Sequence, residues 1–275
     1  PIYAGEGALV EQRRIGGGSA EAVYEFGRIR TLSLGRGGAL FVVDVLNEMT
    51  RASAVRKYDA SGRYITTFGR TGQGPGEFVG TPGGVVELRD GRVVIADLRG
   101  LLVYSATGEY IVRWPVGVRS GGSVGAPIWV DRSGFLYVEV VVPDPSRPAS
   151  AGGIPAIKTS TVRLRPDGTI LDTLSAIEPH SRPRLLNRSR TPFDEAFLVA
   201  WSPLGYNVTA STGFYAVNLR LPRSGARPFV WKSGDSVVSL RRAAPAVRLQ
   251  AGEYDDWRKA LEAYMRSRST SPGWE

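Results

Sequence analysis

"GRVVIAD" (Gly91–Asp97) is followed, six residues on, by "YSATGEYI" (Tyr104–Ile111). The first string is a glycine and then a strand-sized run of β-branched and apolar residues. The second places an apolar residue before a short polar turn, then glycine, then apolar residues again. Glycine supplies the positive φ of a tight turn without steric cost. Together the strings read as strands joined by hairpin turns.

The pair recurs along the chain. The first string returns as "GALFVVD" (Gly38–Asp44), "GFLYVEV" (Gly134–Val140) and "GYNVTAS" (Gly205–Ser211). The second returns as "YDASGRYI" (Tyr58–Ile65), "LRPDGTIL" (Leu164–Leu171) and "VWKSGDSV" (Val230–Val237). The two alternate, so each tile is a four-stranded antiparallel meander. The leading glycines lie 53, 43 and 71 residues apart. Repeats of this size predict an all-β fold, a β-propeller of four-stranded blades. The uneven spacing is assigned to the insertions "PDPSRPASAGGIP" (Pro143–Pro155) and "PHSRPRLLNRSRTPF" (Pro179–Phe193).

This places blade one at 26–78, blade two at 79–120, blade three at 121–178 and blade four at 193–249, with a basic insert at 179–192. Residues 9–25 read as a linker with a single strand, Leu9–Ile15. The end, 250–275, changes period: in "EYDDWRKALEAYMRSR" (Glu253–Arg268), Trp257, Leu261 and Tyr264 share one helical face. Acids suit the first turn of that helix and arginines the last. It is expected as a helical insertion or C-terminal helix that packs by its aromatic face. Trp114, Trp129, Trp201 and Trp231 fall within expected strands, where inter-blade packing is their role.

"FGRTGQGPGEF" (Phe68–Phe78) raises a different possibility, a phosphate-cradling loop. Its glycines at 72, 74 and 76 form G-x-G-x-G, and no GK[ST] and no helical pattern follows. The stretch is expected to carry the chain from the outer edge of one blade to the start of the next, and to bind no nucleotide.

The bulk properties exclude more than they assign. The 275 residues include no cysteine, which removes disulfides, thiolate catalysis and Cys-ligated zinc. One histidine cannot supply the imidazoles of a catalytic zinc site. No apolar run is long enough to span a bilayer. The net charge of +9 invites an anionic partner, yet all but four of the 35 basic residues are arginine and they are scattered. This pattern fits a GC-rich coding sequence and a solvated surface, and nucleic acid is not expected as the partner. The insert concentrates Arg182, Arg184, Arg188 and Arg190 without an acid, a candidate surface for an anion or partner, but without aromatics for base stacking. "GGSVG" (Gly121–Gly125) matches G-x-S-x-G, with His180 downstream. A nucleophile elbow needs a helix next. Here a strand-like run with Pro127 follows, so Ser123 is expected to be inert and no catalytic residue is assigned.

Phe68, Gly69, Gly72, Gly74, Gly76, Phe78 and Pro82, followed by "DGRVVIAD" and "LLVYSATGEYI", resemble the NHL repeat, and more broadly bacterial six-bladed propellers of the NHL and TolB-like type. The resemblance covers nearly the whole chain and is strongest between Phe26 and Trp114. It implies six blades, of which this chain would carry about two-thirds of a ring, with the N-terminal strand completing the last blade. Such an arc would leave apolar blade faces bare at both ends, and is expected to be poorly soluble or oligomeric alone. The resemblance also implies an extracytoplasmic home.

Related propeller enzymes place acidic ligands around the channel. Asp44 and Asp97, which each close the second strand of a tile, are therefore the metal candidates, with calcium as the possible ion. The residue-level alternative is that both cap turns by accepting backbone N–H groups, as Asp131 and Asp167 are expected to do. The expected function is a binding scaffold whose protein or small-molecule ligand sits on a propeller face. A propeller hydrolase or lyase with catalytic residues partly in further blades, and an RNA-binding NHL domain, are the alternatives.

Overall fold

The structure is a computed structural model. It describes residues 11, 13–16, 21–116, 123–143, 157–175, 197–211, 216–221, 238–241 and 252–268. Four antiparallel four-stranded sheets form the blades of a propeller arrangement. Blade one holds β1 (Arg28–Leu34), β2 (Leu40–Asn47), β3 (Ala52–Tyr58) and β4 (Tyr64–Phe68). Two short strands, β5 (Arg70–Thr71) and β6 (Glu77–Phe78), pair in parallel on the way to blade two. That blade is β7 (Gly84–Glu87), β8 (Val93–Asp97), β9 (Gly100–Tyr104) and β10 (Tyr110–Trp114). Blade three holds β11 (Ser123–Val130), β12 (Leu136–Pro143), β13 (Ile157–Leu164) and β14 (Ile170–Ser175). Blade four holds β15 (Phe197–Trp201), β16 (Asn207–Ser211), β17 (Ala216–Arg220) and β18 (Val238–Arg241).

One turn geometry builds most of the hairpins. At Leu88, Asp131 and Ser202 the residue's N–H donates to the carbonyl four positions on, at 2.8, 3.0 and 2.8 Å. The glycine at the fourth position of each turn donates back to the first residue's carbonyl. These glycines, Gly91, Gly134 and Gly205, have φ of +86°, +89° and +80°. The outer hairpins repeat the device at Gly62, Gly108 and Gly168, with φ between +87° and +99°. In blade one the Gly35–Ala39 turn closes at 2.8 Å with Gly38 at φ +79°. A side chain in this region costs about 1–2 kcal/mol, which is why the sequence repeats glycine here.

The core lies between blades. Blade two shows why its strands read as unbroken apolar runs. Val93 and Ile95 face blade one, packing with Phe41, Val43, Val55 and Phe68. Val94 and Ala96 face the other way, toward Ile128, Leu136, Val138 and Val162 of blade three. With both faces covered, every position along β8 is buried. Between blades three and four, the Tyr137 and Trp201 rings stack with centroids 4.0 Å apart, flanked by Trp129 and Phe135. Trp114 packs against the cluster between blades two and three. Trp231 lies outside the described residues.

Polar contacts also join the blades. The Lys57 ammonium of β3 meets the Glu87 carboxylate of β7 at 2.9 Å, and the Thr31 hydroxyl donates to the Gly83 carbonyl. Leu32 and Leu34 alternate with Thr31 along β1, so they point away from blade two and are exposed. Leu198 and Leu240 are exposed on blade four.

Two outlying segments differ in outcome. Glu11 and Arg13–Gly16, the described part of the expected N-terminal strand, form no strand. Arg13 and Ile15 instead lie over the β3–β4 turn, close enough that a Cβ on Gly62 would meet them at 3.3 and 3.2 Å. The chain then seats Tyr24 and Phe26 on the Tyr58 ring. The helix forms as expected: α1 spans Glu253–Arg268, with Glu253, Asp255 and Asp256 in its first turn.

The turn argument has a direct test in two glycines of almost equal φ. A Cβ on Gly91 would meet only the Ala106 Cβ, at 3.5 Å, whereas one on Gly168 would run into the Trp114 indole. Gly91→Ala is expected to lower unfolding free energy by about 1–2 kcal/mol through backbone strain alone. Gly168→Ala should cost more, because overpacking adds about 1–3 kcal/mol. Urea denaturation of both variants measures the difference.

Candidate functional site

The glycine-rich stretch carries its own anion. The Glu77 carboxylate turns back into the loop and accepts the Gly74 N–H at 2.8 Å and the Arg70 Nε–H at 2.8 Å. A Cβ on Gly72 would collide with this carboxylate, so glycine there makes room for Glu77. The Gly72 N–H donates to the Phe78 carbonyl at 3.0 Å. The Tyr104 hydroxyl donates to the Gly76 carbonyl at 2.8 Å. The loop's amides are thus turned inward, and no helix follows to supply the rest of a phosphate site. Backbone N–H donation from Gly74, and then the Arg70 guanidinium, hold the Glu77 pKa below its ordinary value of 4.5.

Asp44 and Asp97 each anchor a clamp. Asp44, with no exposed side-chain surface, accepts the Gly27 N–H at 3.1 Å and faces Arg56 Nη1 at 3.3 Å. The same nitrogen donates to the Glu25 carbonyl at 2.6 Å. Asp97 repeats the pattern, accepting the Val79 N–H at 2.8 Å and Arg113 Nη1 at 2.6 Å, while Arg113 Nη2 donates to the Glu77 carbonyl at 3.0 Å. The Arg99 N–H adds a third bond, at 2.9 Å.

In both blades, then, the acid takes the amide of one residue on the incoming chain and the arginine takes the carbonyl two residues earlier. The arginine comes from β3 in blade one and from β10 in blade two. A calcium ion at either acid would have to displace an arginine and a backbone amide. No group of three or more acidic or histidine side chains converges among the described residues. In the corresponding place blade three has Val140 and blade four has Ser211. Blade three instead carries a cross-strand pair, in which Arg163 Nε meets Asp172 Oδ1 at 3.0 Å.

The remaining sequence candidates separate cleanly. Asp131 accepts the N–H groups of Ser133 and Phe135 at 2.8 and 3.0 Å, and Asp167 that of Thr169 at 2.8 Å. Ser123 opens β11, so a strand follows it and not a helix. His180 and the arginines Arg182, Arg184, Arg188 and Arg190 lie outside the described residues.

Sequence reading missed the arrangement at one end of the blades. Two residues before the turn glycine stand Arg36, Arg89, Arg132 and Pro203 in blades one to four, the blade-one turn winding as a 3-10 turn with Gly37 also at φ +63°. All belong to turns between the first and second strands of their blades. These positions meet from blade to blade: the Arg36 guanidinium donates to the Arg89 carbonyl, and the Arg132 N–H donates to the Pro203 carbonyl at 2.7 Å. All three arginines are exposed. The signal was present as an arginine two residues before the turn glycine in three of the four blades.

No family model and no curated protein matches the chain. Solved structures that resemble it do so distantly. A Bacteroides fragilis protein described as exported shares 12% identity over 73% of this chain and 50% of its own, with a TM-score of 0.43. A gluconolactonase from Xanthomonas campestris shares 16% over 79% of this chain and 64% of its own, with a TM-score of 0.34. Regucalcin, a calcium-binding protein from Agrobacterium tumefaciens, shares 12% over 72% of each chain, with a TM-score of 0.35. This chain spans half the length of the first of these. At such distances neither activity nor ligand passes to this chain.

Three outcomes test these roles. Asp97→Ala strands Arg113 beside buried backbone and is expected to cost about 3–5 kcal/mol, with part recovered in the Asp97→Ala/Arg113→Ala double variant. Added calcium should leave the Tm of the unaltered protein unchanged. For Glu77 the lowered pKa fixes the sign: its contribution is full above pH 4.5 and fades as pH falls through the folded value. Glu77→Gln should therefore be less stable than wild type at pH 7, with the gap closing in acid, as read by denaturation at each pH.

Proposed function

We propose that this chain is a propeller-type binding scaffold of the NHL and TolB-like kind, with a six-bladed ring and an extracytoplasmic home, whose ligand rests on the face made by the hairpin turns. The observation that carries this reading is the alignment of Arg36, Arg89 and Arg132 on successive inner turns, while the buried acids Asp44 and Asp97 are held by their own arginines. Asp44 and Asp97, the acids that would act as bases or metal ligands, are committed to holding the incoming chain of their own blades. Groups left to meet a partner are exposed, chemically inert cations in rigid turns. No helix among the described residues is long and apolar enough to cross a membrane.

A scaffold binds without turnover. Incubation with an aldonolactone, with and without calcium, is expected to give the buffer rate of ring opening, followed by titration of released acid. A saturable rate that disappears in Asp97→Asn would overturn the scaffold reading in favour of a propeller hydrolase.

A further inference from the structure

We propose that the inner-turn end of the blades is a binding site for a linear polyanion bearing phosphate or sulfate groups, held by Arg36, Arg89 and Arg132. This rests on the scaffold reading and names its ligand class. Arg89 and Arg132 occupy one position of one turn geometry, and Arg36 stands at the matching place, two residues before Gly38, in the 3-10 turn of the neighbouring blade. Stacked sheets lie about 10 Å apart, so the row extends over about 20 Å. An anion beside Arg36 and Arg89 leaves Arg132 a blade away, whereas a chain of anionic groups spans all three.

The acids of the inner turns are already engaged. Glu87 accepts the Lys57 ammonium and the Arg36 backbone N–H at 2.8 Å. Asp90 pairs with Arg92 at 2.7 Å. Asp131 takes the amides of its own turn and the Tyr137 hydroxyl at 2.9 Å. Further out, Asp59 pairs with Arg63 at 2.9 Å. Among the described residues the guanidinium groups of Arg89 and Arg132 make no ion pair. Arg36 is tied across the blade boundary to the Arg89 carbonyl, which fixes one cation beside the next.

Guanidinium forks match phosphate and sulfate oxygens in pairs of parallel hydrogen bonds. The net charge of +9 draws a polyanion toward the whole molecule, and the row gives it a defined seat. The row carries no interleaved aromatic side chain, so bases of a nucleic acid would find no stacking platform there.

The test uses fluorescence anisotropy with three labelled probes of matched charge: linear polyphosphate, a sulfated oligosaccharide and oligothymidylate. The whole chain is compared with Arg89→Gln/Arg132→Gln. The control is Arg51→Asn/Arg99→Gln, which removes the same charge from turns at the opposite end of the blades. Saturable, salt-sensitive binding of polyphosphate or the sulfated chain is expected, weakened at least tenfold in the first variant and less than twofold in the control. Whichever of these two probes binds tighter names the source of the anion. Equal losses in both variants, or no saturable binding at low salt, overturn the proposal. Tighter binding of oligothymidylate than of either other probe overturns it in favour of nucleic acid. Lactone turnover by the same samples would sink the scaffold reading itself, so the two failures are told apart.

Discussion

Strands that reverse tightly and repeatedly need a residue that tolerates positive φ at each reversal, and here that residue is the fourth of each turn. Gly62, Gly91, Gly108, Gly134, Gly168 and Gly205 all meet the requirement with φ between +80° and +99°. Because the hydrogen bonds of each turn fix its two strands in register, the same constraint decides which side chains face which way. A slip of one residue would turn Val93 and Ile95 from blade one toward blade three. The meander, its register and its two packed faces therefore rest on one local backbone condition met many times.

Hairpins alone do not stack. Side chains on both faces of blade two give the adhesive, since Val93 and Val94 are each fully buried against different neighbours. The clamps act within a blade. Asp44 and Asp97 hold the chain just before the first strand of a blade, where it would otherwise be tied only by its loop. Burying a carboxylate is costly unless it is paired, and both acids are paired with an arginine and a backbone amide. The clamp is thus a means of fixing where each blade begins. Blades three and four lack the acid, and blade three joins its outer strands through Arg163 and Asp172 instead.

This division of labour bears on function. Acids near a propeller channel invite a catalytic or metal-binding reading, but charge already consumed by structure is unavailable for chemistry. On the inner turns the exposed arginines repeat from blade to blade. Arg36, Arg89 and Arg132 are unremarkable along the chain, where arginine is abundant, and become a row only because inner turns of neighbouring blades stand side by side.

The repeated glycine strings were sufficient to read the blades, though Val230–Val237 lies outside the described residues, and the helical period of Trp257, Leu261 and Tyr264 was sufficient to read the C-terminal helix, because turn φ and periodicity are local properties written residue by residue. The role of the glycine-rich stretch as a passage between blades was legible for the same reason: its spacing fits no phosphate loop. Other features belong to the tertiary structure. That Glu77 folds back into its own loop depends on β5 and β6 pairing, a contact between two-residue strands with no periodic signal. That Asp44 finds an arginine on β3 and Asp97 one on β10 depends on which strand passes nearest, which no spacing encodes. The segment 9–15 reads as a strand by its apolar residues, yet its described residues, Glu11 and Arg13–Ile15, form none, and Arg13 and Ile15 lie on the β3–β4 turn. Local conformation is carried by the sequence, whereas the partners of buried charges and the alignment of surface cations arise only when the sheets stack.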